Sequence, residues 1–199
     1  MRTRIVLFLI LLLTSFPGCR RAGGPARAPS GKEQPKIEAC ALITNDEVQQ
    51  IQSAPVKDTK PSENSDGRFR VAQCLYTTDP FNKSVSLAVT QSDSTSANAR
   101  NPKDFWRETF GRYEGSKKEH HGDEEKKESF REQEEKKAIA PKKIDGLGDA
   151  AFWAANRMGG ALYVLKDNVF IRISVGGADK EEVRIDRSKA LARKALSRL

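Results

Sequence analysis

The chain has 199 residues and a formal net charge of +8, from 35 lysines and arginines against 27 aspartates and glutamates. No nucleic-acid-binding motif or aromatic-basic cluster accompanies this charge, so it indicates solubility and attraction to an anionic envelope rather than nucleic-acid binding. Once the N-terminal segments described next are set aside, about 160 residues remain, which suits one domain.

An export signal is the first predicted element. Arg2 and Arg4 precede an uninterrupted apolar run over residues 5–13, far shorter than the about 20 apolar residues of a membrane-spanning helix. A charged start, a short apolar region and small residues after it are typical of a signal peptide, which we predict over residues 1–18.

The cysteine after that signal points to a lipid anchor. The tetrapeptide Phe16-Pro17-Gly18-Cys19 resembles the lipobox of bacterial lipoproteins. The resemblance implies that the Cys19 thiol receives a diacylglyceryl group, with acyl chains of the palmitate class, and that Cys19 becomes the new N-terminus. Two acyl chains make a stable membrane anchor, whereas one binds only marginally. The alternative is an ordinary secretory signal with an incidental cysteine.

Residues 19–36 are predicted to be a disordered tether, because they are rich in Gly, Pro, Ala and charge and cannot build a core. The tether would join the membrane to a single domain over residues 37–199. We therefore expect a protein of the cell envelope, anchored on the extracytoplasmic side, with the membrane as its first partner.

The two remaining cysteines, Cys40 and Cys74, form an even pair in an exported chain, which predicts a disulfide bond. A redox or metal-binding pair is the weaker alternative, because there is no C-x-x-C spacing and neither cysteine has a neighbouring histidine.

The first half of the domain predicts one helix and two strands. Thr44-Asn45-Asp46-Glu47 has the pattern of a capping box, which predicts a helix that continues through about Gln52. Residues 57–68 are polar and predict a loop. Residues 71–78 and 84–91 predict strands, and the second alternates apolar and polar side chains as half-buried antiparallel strands do.

The middle of the chain predicts a helix over residues 102–115, with an aromatic stripe formed by Phe105, Trp106, Phe110 and Tyr113. Core packing is the simpler use of this stripe, and a ligand-binding wall is the alternative. Residues 116–137 are almost all charged and predict a solvated helix or a mobile insertion. They contain a metal-like group, but adjacent histidines do not share a helix face, so we predict no metal site from His120, His121, Asp123 and Glu124.

The last third predicts a turn, a hairpin and a helix. Gly146 and Gly148 predict the turn. Residues 161–165 and 169–175 predict a β-hairpin whose second strand presents Phe170, Arg172 and Ser174 on one face. Asp179–Glu182 predicts a helix cap. The final basic helix is predicted to have an apolar stripe of Val183, Leu191, Ala195 and Leu199, and solvated cations at Arg184, Arg187, Arg193, Lys194 and Arg198.

This order of elements predicts an α+β fold with a single antiparallel sheet flanked by helices. The segments CALITNDEV, CLYTT, SVSLAV, IDGLGDAAFWAAN, LYVLKDNVFIRISV and ALARKAL resemble bacterial lipoproteins of the DUF3558 type and the extracellular sensor domains of some actinobacterial kinases. The resemblance spans most of residues 38–199. It implies a helix-flanked antiparallel sheet and an envelope location, and it implies no activity and no functional residues.

Three hypotheses for function follow. The preferred one is a non-enzymatic, lipid-anchored envelope lipoprotein that binds another protein or a cell-surface component. The alternative is a sensor domain for a small molecule or lipid, with a pocket between sheet and helix lined by Phe105, Trp106, Phe152 and Trp153. An enzyme is the least supported, because neither a hydrolytic triad nor a nucleotide-binding loop is present; we predict no catalytic residue, cofactor or metal. An apolar cavity of about 300–1,000 Å³ would favour the sensor, and an exposed apolar patch would favour a protein partner.

Overall fold

A computed structural model describes residues 35–114, 140–156 and 159–199. These residues form seven strands, three α-helices and two short 3-10 helices. The strands are β1 Val56–Ser65, β2 Phe69–Thr78, β3 Val85–Ser92, β4 Lys142–Lys143, β5 Ala150–Ala154, β6 Ala161–Lys166 and β7 Val169–Val175. The helices are α1 Asn45–Gln52, α2 Pro102–Glu114 and α3 Glu181–Leu196, and the 3-10 helices are Ala39–Ala41 and Phe81–Lys83.

All seven strands belong to one sheet in the order β1-β2-β3-β7-β6-β5-β4, and every neighbouring pair is antiparallel. The predicted α+β fold with a single antiparallel sheet flanked by helices is therefore confirmed. Among the described residues, no helix is both long and apolar enough to cross a bilayer.

One face of the sheet carries the main core. Side chains alternate between the two faces of a strand, so every second residue of β2, β3, β6 and β7 points to this side. Helices α1 and α3 cover it. The sheet residues of this core include Cys74, Tyr76, Leu87, Val89, Leu162, Val164, Ile171 and Ile173, none of them measurably exposed to solvent.

The opposite face is covered over β5, β6 and β7 by α2 and its aromatic side chains. Over β2 it is more open, because Gln73 is exposed there and Leu75 is 36% exposed. The two faces thus differ, with one packed by two helices and the other only partly covered by one.

The prediction of a loop over residues 57–68 is wrong, because most of this segment belongs to the strand β1. This strand lies at the edge of the sheet, pairs with β2 from Val56 to Ser65 and leaves nearly all its side chains exposed. An edge strand gains its stability from backbone pairing, so it needs no apolar alternation, and it tolerates a proline such as Pro61.

Of two predictions about the last helix, the cap is wrong and the apolar stripe is only partly right. Lys180 is the N-cap of α3 and makes no side-chain capping bond, whereas the Asp179 carboxylate accepts a hydrogen bond from Arg187 at 2.6 Å. Val183 and Leu199 are 39% and 41% exposed. The buried residues of α3 are Ser188, Leu191, Ala192 and Ala195, so the predicted apolar stripe is confirmed at Leu191 and Ala195 and wrong at Val183 and Leu199.

The cations of α3 are not uniformly solvated, contrary to expectation. Arg187 also donates to Gln52 of α1, and Arg198 donates to the Leu42 carbonyl and to both oxygens of Glu47. These bonds join α3 and Arg198, two residues beyond its end, to α1, so Arg187 and Arg198 serve as tertiary contacts.

Several local predictions are confirmed. Thr44 and Glu47 form both halves of the capping box at the start of α1. Cys40 and Cys74 form a disulfide bond that ties the first 3-10 helix to β2. Gly148 has a φ of +56°, and an added Cβ would lie 2.3 Å from a backbone oxygen, so this turn requires glycine.

The signal, the tether through residue 34 and the charged segment 116–137 lie outside the described residues. Pro35, one of the last two residues of the predicted tether, is described, and its carbonyl accepts a hydrogen bond from the Gln91 amide at 2.9 Å, so the tether prediction extends too far at its C-terminal end.

Candidate ligand-binding pocket

Helix α2 brings the predicted aromatic stripe to the second face of the sheet. The Asn101 side chain accepts a hydrogen bond from the Lys103 amide at 2.8 Å, and Pro102 occupies the first helical position, which favours helix initiation there. The spacing of the stripe then places Trp106 and Phe110 against the sheet, where they are 1% and 6% exposed.

These side chains form an aromatic cluster with the sheet. The Phe110 ring stacks on Phe152 with centroids 5.2 Å apart and meets Tyr163 at 5.3 Å. The Trp106 ring lies 4.6 Å from Phe110, and its indole N–H donates to the Glu114 carboxylate at 2.9 Å. Such pairs add about 0.5–1.5 kcal/mol each beyond simple burial, so this part of α2 is firmly held.

A cavity of about 310 Å³ lies beside this cluster, between α2 and the sheet. Its walls are mostly apolar and come from Phe105, Trp106, Thr109 and Phe110 of α2 and from Ala154, Tyr163 and Phe170 of the sheet. The Thr109 hydroxyl donates to the Phe105 carbonyl at 2.9 Å, so the one hydroxyl on the helix wall is already satisfied. This volume lies at the lower end of the range for small-molecule sites.

Phe105 forms the outer wall of the pocket. Its ring stacks on Phe170 at 5.9 Å and lies 5.5 Å from Phe69, yet 37% of the residue remains exposed. Neighbouring rings therefore hold the side chain in place while one side faces solvent. The pocket is an open, aromatic site with a defined wall.

Two polar groups lie at the pocket on the same sheet face. Tyr163 pairs across the sheet with Arg172, and the Arg172 Nε donates to the Tyr163 hydroxyl oxygen at 3.2 Å. Arg172 also lines a broader groove of about 560 Å³ on the open part of this face. The guanidinium therefore lines the solvent-facing groove and contacts the wall of the aromatic pocket through Tyr163.

The structure brings together three of the four residues predicted to bind a ligand. Phe105 and Trp106 line the pocket, and Phe152 packs behind them, 6.0 Å from the Trp106 ring. Trp153 does not join them, because it belongs to the core on the other face. Phe152 and Trp153 are consecutive residues of β5, and consecutive strand residues point to opposite faces.

Sequence reasoning missed the sheet side of the pocket, namely Tyr163, Phe170 and Ala154. A signal was present for Phe170, because the alternation of β7 separates Phe170, Arg172 and Ser174 from its buried aliphatic residues. Which helix would cover that face was not readable from a local pattern.

A second polar cluster supports the N-terminal side of the domain. The nearly buried Arg70 donates to both oxygens of Glu63 and, at 3.1 Å, to Gln91, and the Gln91 amide holds the Pro35 and Ile37 backbone. The hydrogen bonds from Arg70 lower the pKa of Glu63 below its usual value. Its cavity of about 90 Å³ is small, and its groups bind one another, so we assign it a structural role.

No group of three or more His, Cys, Asp or Glu residues placed to hold a metal ion occurs within 35–114, 140–156 and 159–199. The histidine pair at His120 and His121 lies outside these ranges.

No protein-family model matches the sequence, and no curated protein matches it. Among solved structures, the chain is similar to a GTP binding regulator from Thermotoga maritima, with a TM-score of 0.37 and 10% identity over 79% of this chain and 91% of that chain. At this TM-score the likeness supports no conclusion about ligand or activity.

Proposed function

We propose that this chain is a lipid-anchored protein of the bacterial cell envelope whose folded part binds a small apolar ligand between α2 and the sheet. The observation that carries the proposal is the aromatic cavity of about 310 Å³, which has the size and lining typical of ligand sites. The proposed function is binding, without catalysis.

The incomplete packing of the pocket favours a ligand over a purely structural role. Protein cores are close-packed, and voids larger than a water molecule are few. Here five aromatic rings of the lining surround unfilled space, and one of them, Phe105, stays partly exposed. A bound apolar molecule would bury this surface and gain about 25 cal/mol for each Å² removed from water.

Docking of another protein has less support from the described residues. Leu75 and Phe81, 36% and 71% exposed, border the open groove, but most of the other groove residues are polar or small. Scattered exposed apolar side chains are normal on a monomer and do not by themselves indicate a binding surface. The pocket under α2 is the more specific feature.

Binding is testable with a neutral apolar dye such as N-phenyl-1-naphthylamine, which fluoresces on entering an apolar site. We expect saturable binding to the soluble domain and displacement by 1-octanol. Thr109→Phe should fill the pocket and reduce dye affinity at least tenfold. The matched control Arg107→Phe adds the same ring to a surface position of α2, 65% exposed, and should bind as the parent does. Equal affinity in the two variants would refute the pocket.

The two tryptophans supply an internal control, since Trp106 lines the pocket and Trp153 lies in the opposite core. In Trp153→Phe, octanol should change the remaining indole fluorescence, because that indole is Trp106. In Trp106→Phe, octanol should leave the fluorescence unchanged. The reverse result would place the ligand on the wrong face of the sheet.

The anchor is tested separately. Cys19→Ala should abolish lipid labelling and move the protein from the membrane to the soluble fraction, because the acyl chains have no other attachment point in the lipobox. Ala22→Ser, in the tether, is the control and should stay in the membrane fraction. Unchanged fractionation of Cys19→Ala would exclude the anchor without affecting the pocket.

A further inference from the structure

The charge beside the pocket suggests which ligand it takes. Arg172 lies on β7 two residues after Phe170, so both side chains project from the same sheet face. Its strand neighbours on that face are Tyr163 on one side and Ala88 on the other. The guanidinium carbon lies 5.9 Å from the centre of the Tyr163 ring, which is itself part of the pocket wall.

Arg172 is half-buried, yet no carboxylate among the described residues lies within 4.0 Å of its guanidinium. Arg70 and Arg187, which are also substantially buried, each bind a carboxylate at 2.5 and 2.6 Å. Partly buried cations are usually paired, because loss of hydration is costly without a compensating charge. Arg172 differs from these two because, within the described part of the chain, its side chain bonds a neutral hydroxyl, that of Tyr163, and no carboxylate.

The hydrogen bond between these two residues also determines which protons remain available. The Tyr163 oxygen accepts from Arg172 Nε, so its own O–H is free to donate. The Nη1 and Nη2 groups of Arg172 supply further N–H donors in a planar fork, the geometry that matches a carboxylate. A positively charged set of donors therefore lies next to Tyr163, on the side of the aromatic cavity wall that faces the open groove.

We propose that the ligand is a single-chain amphiphilic carboxylate, with its carboxylate on Arg172 and Tyr163 and its apolar body between α2 and the sheet. This inference rests on the proposed function. The apolar body is short, because about 310 Å³ corresponds to roughly ten water volumes. The charged end stays accessible, because Arg172 also faces the open groove that leads to solvent.

The test compares octanoate with 1-octanol, two ligands of matched length that differ in head-group charge, by dye displacement at pH 8. The wild-type protein should bind octanoate at least tenfold more tightly than octanol. Arg172→Met keeps the apolar stem of the side chain and should lower octanoate affinity about tenfold, while octanol affinity stays within twofold. Arg193→Met removes an equal charge from an exposed position of α3 and should change neither.

Two further variants keep the test decisive if Arg172→Met fails to fold. Tyr163→Phe preserves the ring and should lower octanoate affinity about threefold with no change for octanol. Arg172→Lys keeps the charge but loses the planar arrangement of N–H donors. Its octanoate affinity should lie between that of the wild type and that of Arg172→Met.

The outcomes separate the two proposals. Equal affinity for octanoate and octanol, or an octanoate affinity that Arg172→Met, Arg172→Lys and Tyr163→Phe leave unchanged, would overturn the carboxylate site while the pocket stands. If neither the dye nor either ligand binds, the pocket itself fails and this inference fails with it.

Discussion

Removing the Glu47 carboxylate should weaken the contact between Arg198 and α1. Glu47 accepts hydrogen bonds from Arg198 Nη1 and Nη2, both at 2.8 Å, and from the Thr44 amide at 3.0 Å. Lys194 adds a longer contact at 3.5 Å. The hydrogen bonds from Arg198 are the main reason that the pKa of Glu47 falls from 4.5 to about 2, against the opposing effect of burial.

The magnitude follows from that pKa. Each pKa unit corresponds to about 1.4 kcal/mol, so lowering the pKa from 4.5 to about 2 would be worth about 3.5 kcal/mol. Arg198 has 36% of its side chain exposed, so solvent screening reduces the contribution, and we expect about 2 kcal/mol. Glu47→Gln keeps an oxygen that can accept a hydrogen bond from the Thr44 amide. The decrease in the free energy of unfolding therefore measures the ion pair with Arg198 rather than the helix cap.

The sign of the pH dependence is specific. The folded-state pKa is lowered, so the stabilisation is complete above about pH 4.5 and disappears as the pH falls towards 2. In urea unfolding at pH 7, the free energy of unfolding of the wild type should exceed that of Glu47→Gln by about 2 kcal/mol. This difference should decrease steadily below pH 4.5.

A double-mutant cycle with Glu47→Gln and Arg198→Met measures the interaction between these two side chains. The coupling energy should account for most of the decrease in the free energy of unfolding caused by Glu47→Gln. Lys194→Met is the control and should cost less than about 0.5 kcal/mol, because its contact is longer and exposed. A coupling energy near zero, or an advantage that does not change between pH 7 and pH 3, would refute this account.

Two further predictions concern the framework of the fold. The Cys40–Cys74 bond joins residues 34 apart, so replacing both by alanine should lower the free energy of unfolding by about 4 kcal/mol in urea. Neither thiol should react with an alkylating reagent before reduction, and labelling without reductant would contradict the bridge. Gly148→Ala should destabilise by about 2 kcal/mol or more, because its φ is +56° and the new Cβ would meet a β6 carbonyl at 2.3 Å. Gly146→Ala, with φ of +75° and no atom within 4 Å, should cost only about 1 kcal/mol; equal losses in thermal unfolding would argue against the steric contact.

Local chemistry explains why many elements were predictable. The capping box at Thr44 and Glu47 needs only residues three apart, and the turn at Gly148 depends on one residue's backbone freedom. Apolar and polar side chains alternate along β3 and β7, and this pattern directly indicates that one face of each strand is buried. The same local reasoning failed for β1, whose pairing with β2 supplies the stability that its own polar sequence does not indicate.

The candidate pocket shows the same division. An aromatic stripe on α2 was evident from its spacing, and in the structure Trp106 and Phe110 pack in a buried cluster while Phe105 lies at the open side of the cavity. The choice between core packing and a ligand-binding wall required the sheet residues that face the helix. Tyr163 and Phe170 come from a hairpin about 55 residues further along the chain, and no local pattern links them to α2.

The sequence alone determined the α+β composition, the cysteine pairing and the presence of an aromatic helix, because each depends on residue type, count or short-range spacing. Tertiary structure decided which sheet face α2 covers, that Phe152 rather than Trp153 lies on that face, and where Arg172 lies relative to the cavity. The physical reason is that strand pairing sets the register between distant segments. Register in turn decides which side chains share a face and can act on one ligand.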